Sequence, residues 1–138
     1  MGSLGSNQSI VTKTLYHGTD VGNIKEFKST GKESSGAIFF ADDADYAEEE
    51  AYVKNERSGN GQYMYEVKLD IKNPMYVTLP QNEFAINTVE KRYIEEAKVK
   101  GYDAVIFTND VPDNDIMKQT FYAVFDSKQV HIQNRRKL

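Results

Sequence analysis

Strict alternation of apolar and polar side chains runs from residue 63 to residue 71 and is the clearest structural signal in the chain. One face of this segment carries Tyr63, Tyr65, Val67, Leu69 and Ile71, and the other carries Met64, Glu66, Lys68 and Asp70. A period of two predicts a half-buried strand, which is typical of antiparallel sheets. Asn73-Pro74 ends it, and residues 75–77 predict a short continuation of strand pairing.

Five other apolar segments predict short strands. They cover residues 10–17, 37–40, 104–107, 121–125 and 130–132. Two of them, 104–107 and 121–125, are apolar at every position, which is typical of strands covered on both faces. Residues 28–35, rich in Gly, Ser and Lys, and residues 58–61 predict a loop and a turn.

Helical spacing of apolar residues occurs twice. Residues 43 to about 54 place three alanines on one stripe, after Asp42 and Asp43, which suit a helix start. Residues 83–100 carry a second stripe, made of Ile86, Val89, Tyr93 and Ala97, and Gly101 suits its C-terminal cap. The pattern predicts an α+β fold with about six strands and two helices, formed by one domain over residues 10–138 after a flexible leader at 1–9.

Composition narrows the possible classes of protein. A length of 138 residues is typical of a single domain. The chain has no cysteine, which excludes disulfides, zinc–thiolate sites and thiol catalysis. A net charge of −4 disfavours non-specific nucleic-acid binding, and the basic cluster at residues 135–137 predicts a solvated tail. No apolar run is long enough to span a membrane, so we expect a soluble, cytoplasmic protein.

Three separated segments carry a resemblance to a known superfamily. They are Leu15-Tyr16-His17-Gly18-Thr19, then residues 36–42 (GAIFFAD), and then residues 122–126 (YAVFD) followed by Gln129-Val130. In this order and spacing they resemble the ADP-ribosyltransferases, especially the diphtheria-toxin-like and poly(ADP-ribose)-polymerase-like branch. Residues 65–74 also resemble the middle strand of small phage and mobile-element members. The resemblance implies a split antiparallel β core with a cleft between two small sheets, where His17, Phe39 and Phe121 converge.

The resemblance implies NAD as a co-substrate, no metal, and a role for each matched residue. His17 would hydrogen-bond the adenosine ribose. Gly18 would let the backbone approach the nicotinamide carboxamide, although a turn glycine explains it equally well. Thr19 would orient the ribose or cap the turn. The phenyl ring of Phe39 would stack on nicotinamide where the family has tyrosine.

A second stacking tyrosine of the family has two candidates here. Tyr52 lies nearest to its expected spacing and Tyr46 is the other, and either tyrosine could equally pack the helix.

One departure from the family pattern affects catalysis. The family's catalytic glutamate precedes the last matched segment, and Phe121 stands in its place. Phenylalanine cannot stabilise a developing positive charge, and such stabilisation is commonly worth about two to three orders of magnitude in rate. Gln119, two residues earlier, matches a toxin-branch glutamine that aids acceptor choice. Asp113 and Asp115 could bring a carboxylate from the side, although a solvated acidic loop explains them as well.

Three hypotheses remain open. The leading one is a mono-ADP-ribosyltransferase acting on a macromolecular acceptor, with protein favoured over nucleic acid. The second is a catalytically weak or inactive NAD-pocket module, which Phe121 favours. The third is an RNA 2′-phosphotransferase, which needs arginines around a phosphate. The arginines of this chain lie away from the matched motifs, at positions 57, 92, 135 and 136.

Overall fold

The computed structural model describes residues 8–28, 36–112 and 114–138. This part of the chain forms seven strands and two helices. In chain order they are β1 (Leu15–Thr19), β2 (Ile38–Ala41), α1 (Ala44–Ser58), β3 (Tyr63–Leu69), β4 (Pro74–Leu79), α2 (Asn87–Lys100), β5 (Ala104–Asn109), β6 (Thr120–Val124) and β7 (Val130–Lys137). The predicted α+β class is confirmed. Residues 1–7, most of the predicted loop at 28–35, and Asp113 lie outside the described residues.

The strands form one sheet in the order β4-β5-β6-β2-β1-β3-β7. All neighbours are antiparallel except β4 and β5, which run parallel and are connected by α2. Strand β1 pairs with β3 along its whole length but meets β2 at a single pair, Tyr16 with Ala41. Beyond Tyr16 the sheet therefore divides into two halves, which agrees with the predicted split β core.

Both faces of the sheet are covered by apolar side chains. One cluster is built on Leu15, Phe40, Tyr65 and Val67 of the central strands. The other lies beneath α2 and includes Phe107, Phe121 and Ile94. Helix α1 packs against β1 and β3, and Met64 is fully buried although it lies on the polar face of β3.

Strand β7 is longer than the sequence predicts. It continues from Val130 to Lys137, and its pairing with β3 extends to Tyr63 opposite Lys137. The predicted solvated tail at residues 135–137 is therefore wrong for the backbone, although these side chains are exposed. Arg136 Nε lies 3.0 Å from Glu66 Oε2, and Arg135 donates to the Gly22 carbonyl, so contacts with neighbouring segments hold this polar strand. His131 is exposed on the same edge strand.

Helix α2 begins later than predicted, at Asn87 rather than residue 83. Residues 81–85 form turns instead, and Ala85 adopts a left-handed conformation with φ 64°. The buried side of α2 is also rotated from the predicted stripe. It carries Glu90, Ile94 and Ala97, whereas Ile86 is exposed.

Strand β1 begins at Leu15 rather than at residue 10. The segment before it is still anchored, because Ile10 N–H donates to the Ile71 carbonyl at 2.8 Å. Ser9 Oγ donates to the Leu69 carbonyl at 2.6 Å. Residues 9 and 10 therefore follow the end of β3 without forming a regular strand.

Candidate functional site

A cavity of about 350 Å³ opens where β1 and β2 part. Strands β1, β2 and β6, both helices and the turn before α2 contribute to its walls. The lining residues are Tyr16, His17, Gly18, Phe39, Phe40, Ala41, Tyr46, Ala47, Glu50, Lys54, Ala85, Glu90 and Phe121. The three side chains expected to converge, those of His17, Phe39 and Phe121, therefore share one cavity.

His17 is half-buried and oriented by the neighbouring strand. Its Nδ1 lies 2.9 Å from the Phe39 carbonyl oxygen, an atom that only accepts, so Nδ1 carries the hydrogen and Nε2 is an acceptor in the neutral ring. The ring packs edge-on against Phe27 at 4.9 Å and tilted against Phe40 at 5.5 Å. Desolvation, with a smaller effect of the Lys54 charge, lowers the pKa of His17 to about 4. The imidazole is therefore neutral at pH 7.

Gly18 lies directly against α1. A Cβ on Gly18 would stand 1.7 Å from the Ala47 carbonyl oxygen and 3.0 Å from the Ala51 nitrogen. The Gly18 carbonyl accepts a hydrogen bond from Lys54 Nζ at 2.8 Å. Close packing of strand against helix is thus a reason for glycine here that neither interpretation of the sequence included.

Thr19 is buried below the cavity and is not among its described lining residues. Its Oγ1 accepts from the Val21 N–H at 3.3 Å. This contact matches the turn-capping interpretation of Thr19.

The aromatic residues divide between the cavity and other environments. Phe39 lines the cavity and stacks on Phe107 at 6.3 Å. Tyr46 also lines it, with its ring 4.9 Å from that of Phe121. Tyr52 is 53% exposed and is not among the described lining residues, so Tyr46 is the better placed of the two tyrosine candidates.

Phe121 is packed into the core as well as facing the cavity. It is 6% exposed and stacks on Phe84 at 4.7 Å with an interplanar angle of 21°. Two residues earlier, Gln119 donates its backbone N–H to Asn109 Oδ1 at 2.9 Å and is not among the described lining residues. Asp115 Oδ1 accepts from the Met117 N–H at 2.8 Å, which fits a structured loop rather than a carboxylate in the cavity.

Three charged lining residues, Glu50, Lys54 and Glu90, were missed in the sequence. Glu50 and Lys54 follow Tyr46 at intervals of four on α1, so a second stripe beside the alanines faces the cavity. Burial lowers the pKa of Lys54, and burial together with Glu50 raises that of Tyr46. The four-residue spacing was visible in the sequence and could have revealed this stripe.

Glu90 is the third of these residues and lies in the first turn of α2. It is 5% exposed, and its Oε2 has no hydrogen-bond partner among the described residues. Burial raises the pKa of its carboxyl to about 7. The sequence signal for this residue would have been a glutamate among the buried positions of α2. The predicted stripe contained Val89 instead of Glu90, so this signal was missed.

The described segments contain no group of three or more His, Asp or Glu residues placed to hold a metal ion. Neither helix in this part of the chain is long and apolar enough to cross a membrane.

The family model for the ADP-ribosyltransferase in polyvalent proteins matches residues 11–135. The match covers strands β1 to β6, most of β7, both helices and every described lining residue of the cavity. The chain belongs to this ADP-ribosyltransferase family, and the resemblance read from the three motifs is confirmed. No significant match occurs among curated proteins or among solved structures.

Proposed function

We propose that this chain is an NAD-dependent mono-ADP-ribosyltransferase that acts on a macromolecular acceptor. The observation that carries the proposal is the shared cavity, in which His17, Phe39 and Phe121 from three different strands meet. Its volume of about 350 Å³ lies within the usual range of small-molecule sites, about 300–1,000 Å³. A net charge of −4 favours a protein acceptor over a nucleic acid.

The nicotinamide half of NAD is the part of the substrate that fits these walls best. Phe39 offers an aromatic surface for the nicotinamide ring, and Tyr46 offers a second one. The Nε2 of His17 is left to accept a hydrogen bond from a hydroxyl of the adenosine ribose, since its Nδ1 is already hydrogen-bonded to the Phe39 carbonyl. Gly18 also lines the cavity, and its carbonyl accepts a hydrogen bond from Lys54.

Transfer would stop after one ADP-ribose unit. Elongation in the related polymerases depends on the glutamate at the position of Phe121, and phenylalanine offers no group to activate a second ribose. Among the described lining residues, the carboxylates lie on α1 and α2, at Glu50 and Glu90. These are different positions from the β6 glutamate of the family.

The test is a turnover assay with two labels. The purified chain is incubated with NAD labelled in the nicotinamide ring or in the adenylate group, with and without a host lysate. We expect slow release of nicotinamide, and transfer of adenylate label in single units to protein. Labelled chains longer than one unit would contradict mono-transfer, and absence of nicotinamide release would contradict the transferase proposal.

A non-catalytic NAD-binding module is the second candidate function. It is favoured by the packing of Phe121, whose ring is held between Phe84 and Tyr46 at the position of the family's catalytic group. This candidate predicts that NAD binds, as measured by calorimetry, without any release of nicotinamide. The same preparation therefore distinguishes the two functions.

Replacing His17 with alanine is expected to weaken NAD binding about ten- to a hundred-fold. The change removes an acceptor from a desolvated site, which costs about 1–3 kcal/mol. It also removes the bond to Phe39 and the ring packing on Phe27 and Phe40, so the melting temperature should fall as well. Calorimetric titration of the folded variant measures the first effect, and thermal unfolding measures the second.

The matched control is His131→Ala, which removes the other histidine of the chain from an exposed edge position. This variant should bind NAD and unfold like the wild type. If His17→Ala lost stability but bound NAD with unchanged affinity, His17 would be a structural residue and not part of the binding site.

A further inference from the structure

We propose that Glu90 of α2 supplies the catalytic carboxylate of this cavity, in place of the β6 glutamate whose position Phe121 occupies. The inference rests on the proposed function, because it assigns a group to the NAD-cleaving step. It places the reacting carboxylate on the helix that connects two parallel strands, not on the sheet.

The geometry brings Glu90 and Phe121 to the same cavity. Phe84 stacks on Phe121 at 4.7 Å, and Ala85, with its left-handed φ of 64°, turns the chain into α2 directly afterwards. Glu90 follows in the first turn of that helix and lines the cavity together with Ala85 and Phe121. The carboxylate thus lines the same cavity as the residue that it would replace.

Packing alone does not account for a glutamate at this position. The next residues on the buried side of α2 are Ile94 and Ala97, both fully buried, and an apolar residue would continue that stripe. Glu90 is instead 5% exposed, with Oε2 unpartnered among the described residues. Buried carboxylates are normally paired or hydrogen-bonded, so the unfilled acceptor indicates a partner other than the described residues.

The charges around Glu90 define the chemistry of that partner. Desolvation is the cause that raises the pKa of its carboxyl. Among the described residues, the other ionisable groups that line the cavity are Tyr46, Glu50 and Lys54 from α1 and Tyr16 and His17 from β1. Lys54 Nζ donates a hydrogen bond to the Gly18 carbonyl, and the imidazole of His17 is neutral. A cationic ligand would therefore complete the site, and the nicotinamide riboside end of NAD carries a positive charge.

The proposed step uses that charge. The bond between the ribose C1′ and the nicotinamide nitrogen breaks, and both electrons leave with nicotinamide, which becomes neutral. Positive charge then develops on the ribose C1′ and ring oxygen, where the ionised Glu90 stabilises it while accepting a hydrogen bond from a ribose hydroxyl. The acceptor, or water, forms the new bond to C1′ and releases one proton to solvent.

The experiment compares nicotinamide release by the wild type, Glu90→Gln and the control Glu95→Gln, which changes an exposed glutamate of the same helix. Glutamine keeps the length and a hydrogen-bond acceptor but removes the charge. We expect the turnover number of Glu90→Gln to fall about 10²- to 10³-fold, with NAD affinity changed much less. Wild-type turnover should rise with pH and level off above about 7, the pKa of this carboxyl, and Glu90→Gln should lose this dependence.

The outcomes separate the two proposals. A wild type that releases no nicotinamide overturns the transferase proposal and the role of Glu90 together. An active wild type whose Glu90→Gln variant is equally active, or keeps the same pH profile, overturns the role of Glu90 alone. Glu90→Met, an uncharged residue of similar length, gives an independent measurement if the glutamine variant unfolds, and it too must lose turnover.

Discussion

Replacing Gly18 with alanine is expected to cost about 3 kcal/mol or more of folding free energy, at the upper end of the usual effects of overpacking. The added Cβ would stand 1.7 Å from the Ala47 carbonyl oxygen and 2.7 Å from its carbon. Both atoms belong to the backbone of α1, so no side-chain rotation can relieve the clash and the helix must move. Chemical denaturation of the purified variant measures the loss.

The matched control is Gly59→Ala, at the C-terminal cap of the same helix. Gly59 has φ 73°, and a Cβ there meets nothing within 4 Å, so alanine should cost only the left-handed strain of about 1–2 kcal/mol. A Gly18 variant that is no less stable than the Gly59 variant would contradict close packing as the reason for glycine. NAD binding should also weaken in Gly18→Ala, because Tyr46, Glu50 and Lys54 move with α1.

This packing explains why the His-Gly-Thr motif serves the fold as well as the site. Gly18 has no side chain and so lets α1 pack directly against β1. Thr19 caps the following turn through its hydrogen bond with the Val21 N–H. His17 is held by the Phe39 carbonyl across the point where the two halves of the sheet separate. One short segment therefore fixes the position of α1 and one wall of the cavity.

Local patterns predicted the parts of the fold that depend on local rules. The alternation in β3, the apolar runs of β5 and β6, the Asp43 cap of α1 and the Gly101 cap of α2 all appear in the structure. The three motifs also located the cavity, because each contributes a strand to its walls. These features are set by residues close together in sequence.

Two features could not be read in this way because partners distant in sequence determine them. The polar end of β7 has no strand pattern of its own and is a strand because β3 provides its hydrogen-bond ladder. The buried side of α2 depends on the residue at which the helix begins after the turns at residues 81–85. The helix begins four residues later than predicted. Glu90 was missed for this second reason.

The position of Glu90 lowers the stability of the folded protein at neutral pH. Its pKa rises from 4.5 in the unfolded chain to about 7 in the folded one, so the folded state binds the proton more tightly. Relative to the ionised form, the protonated carboxyl of Glu90 contributes stability that is complete below pH 4.5 and is lost as the pH rises through 7. The shift corresponds to about 3 kcal/mol.

Glu90→Gln is therefore expected to match the wild type in stability near pH 4.5 and to exceed it by up to about 3 kcal/mol at pH 8. The pH dependence of wild-type stability would not by itself reveal the effect of Glu90. His17, whose pKa is lowered to about 4, makes the stability rise between pH 4 and 6.5 and so opposes it. That contribution is common to both proteins and cancels in their difference. Denaturant unfolding of both proteins from pH 4.5 to 8 measures the difference.

A constant difference across this range would mean that Glu90 is solvated in the folded state. A difference that widens with pH, joined to a loss of turnover in the same variant, would identify Glu90 as a residue that lowers stability and serves catalysis.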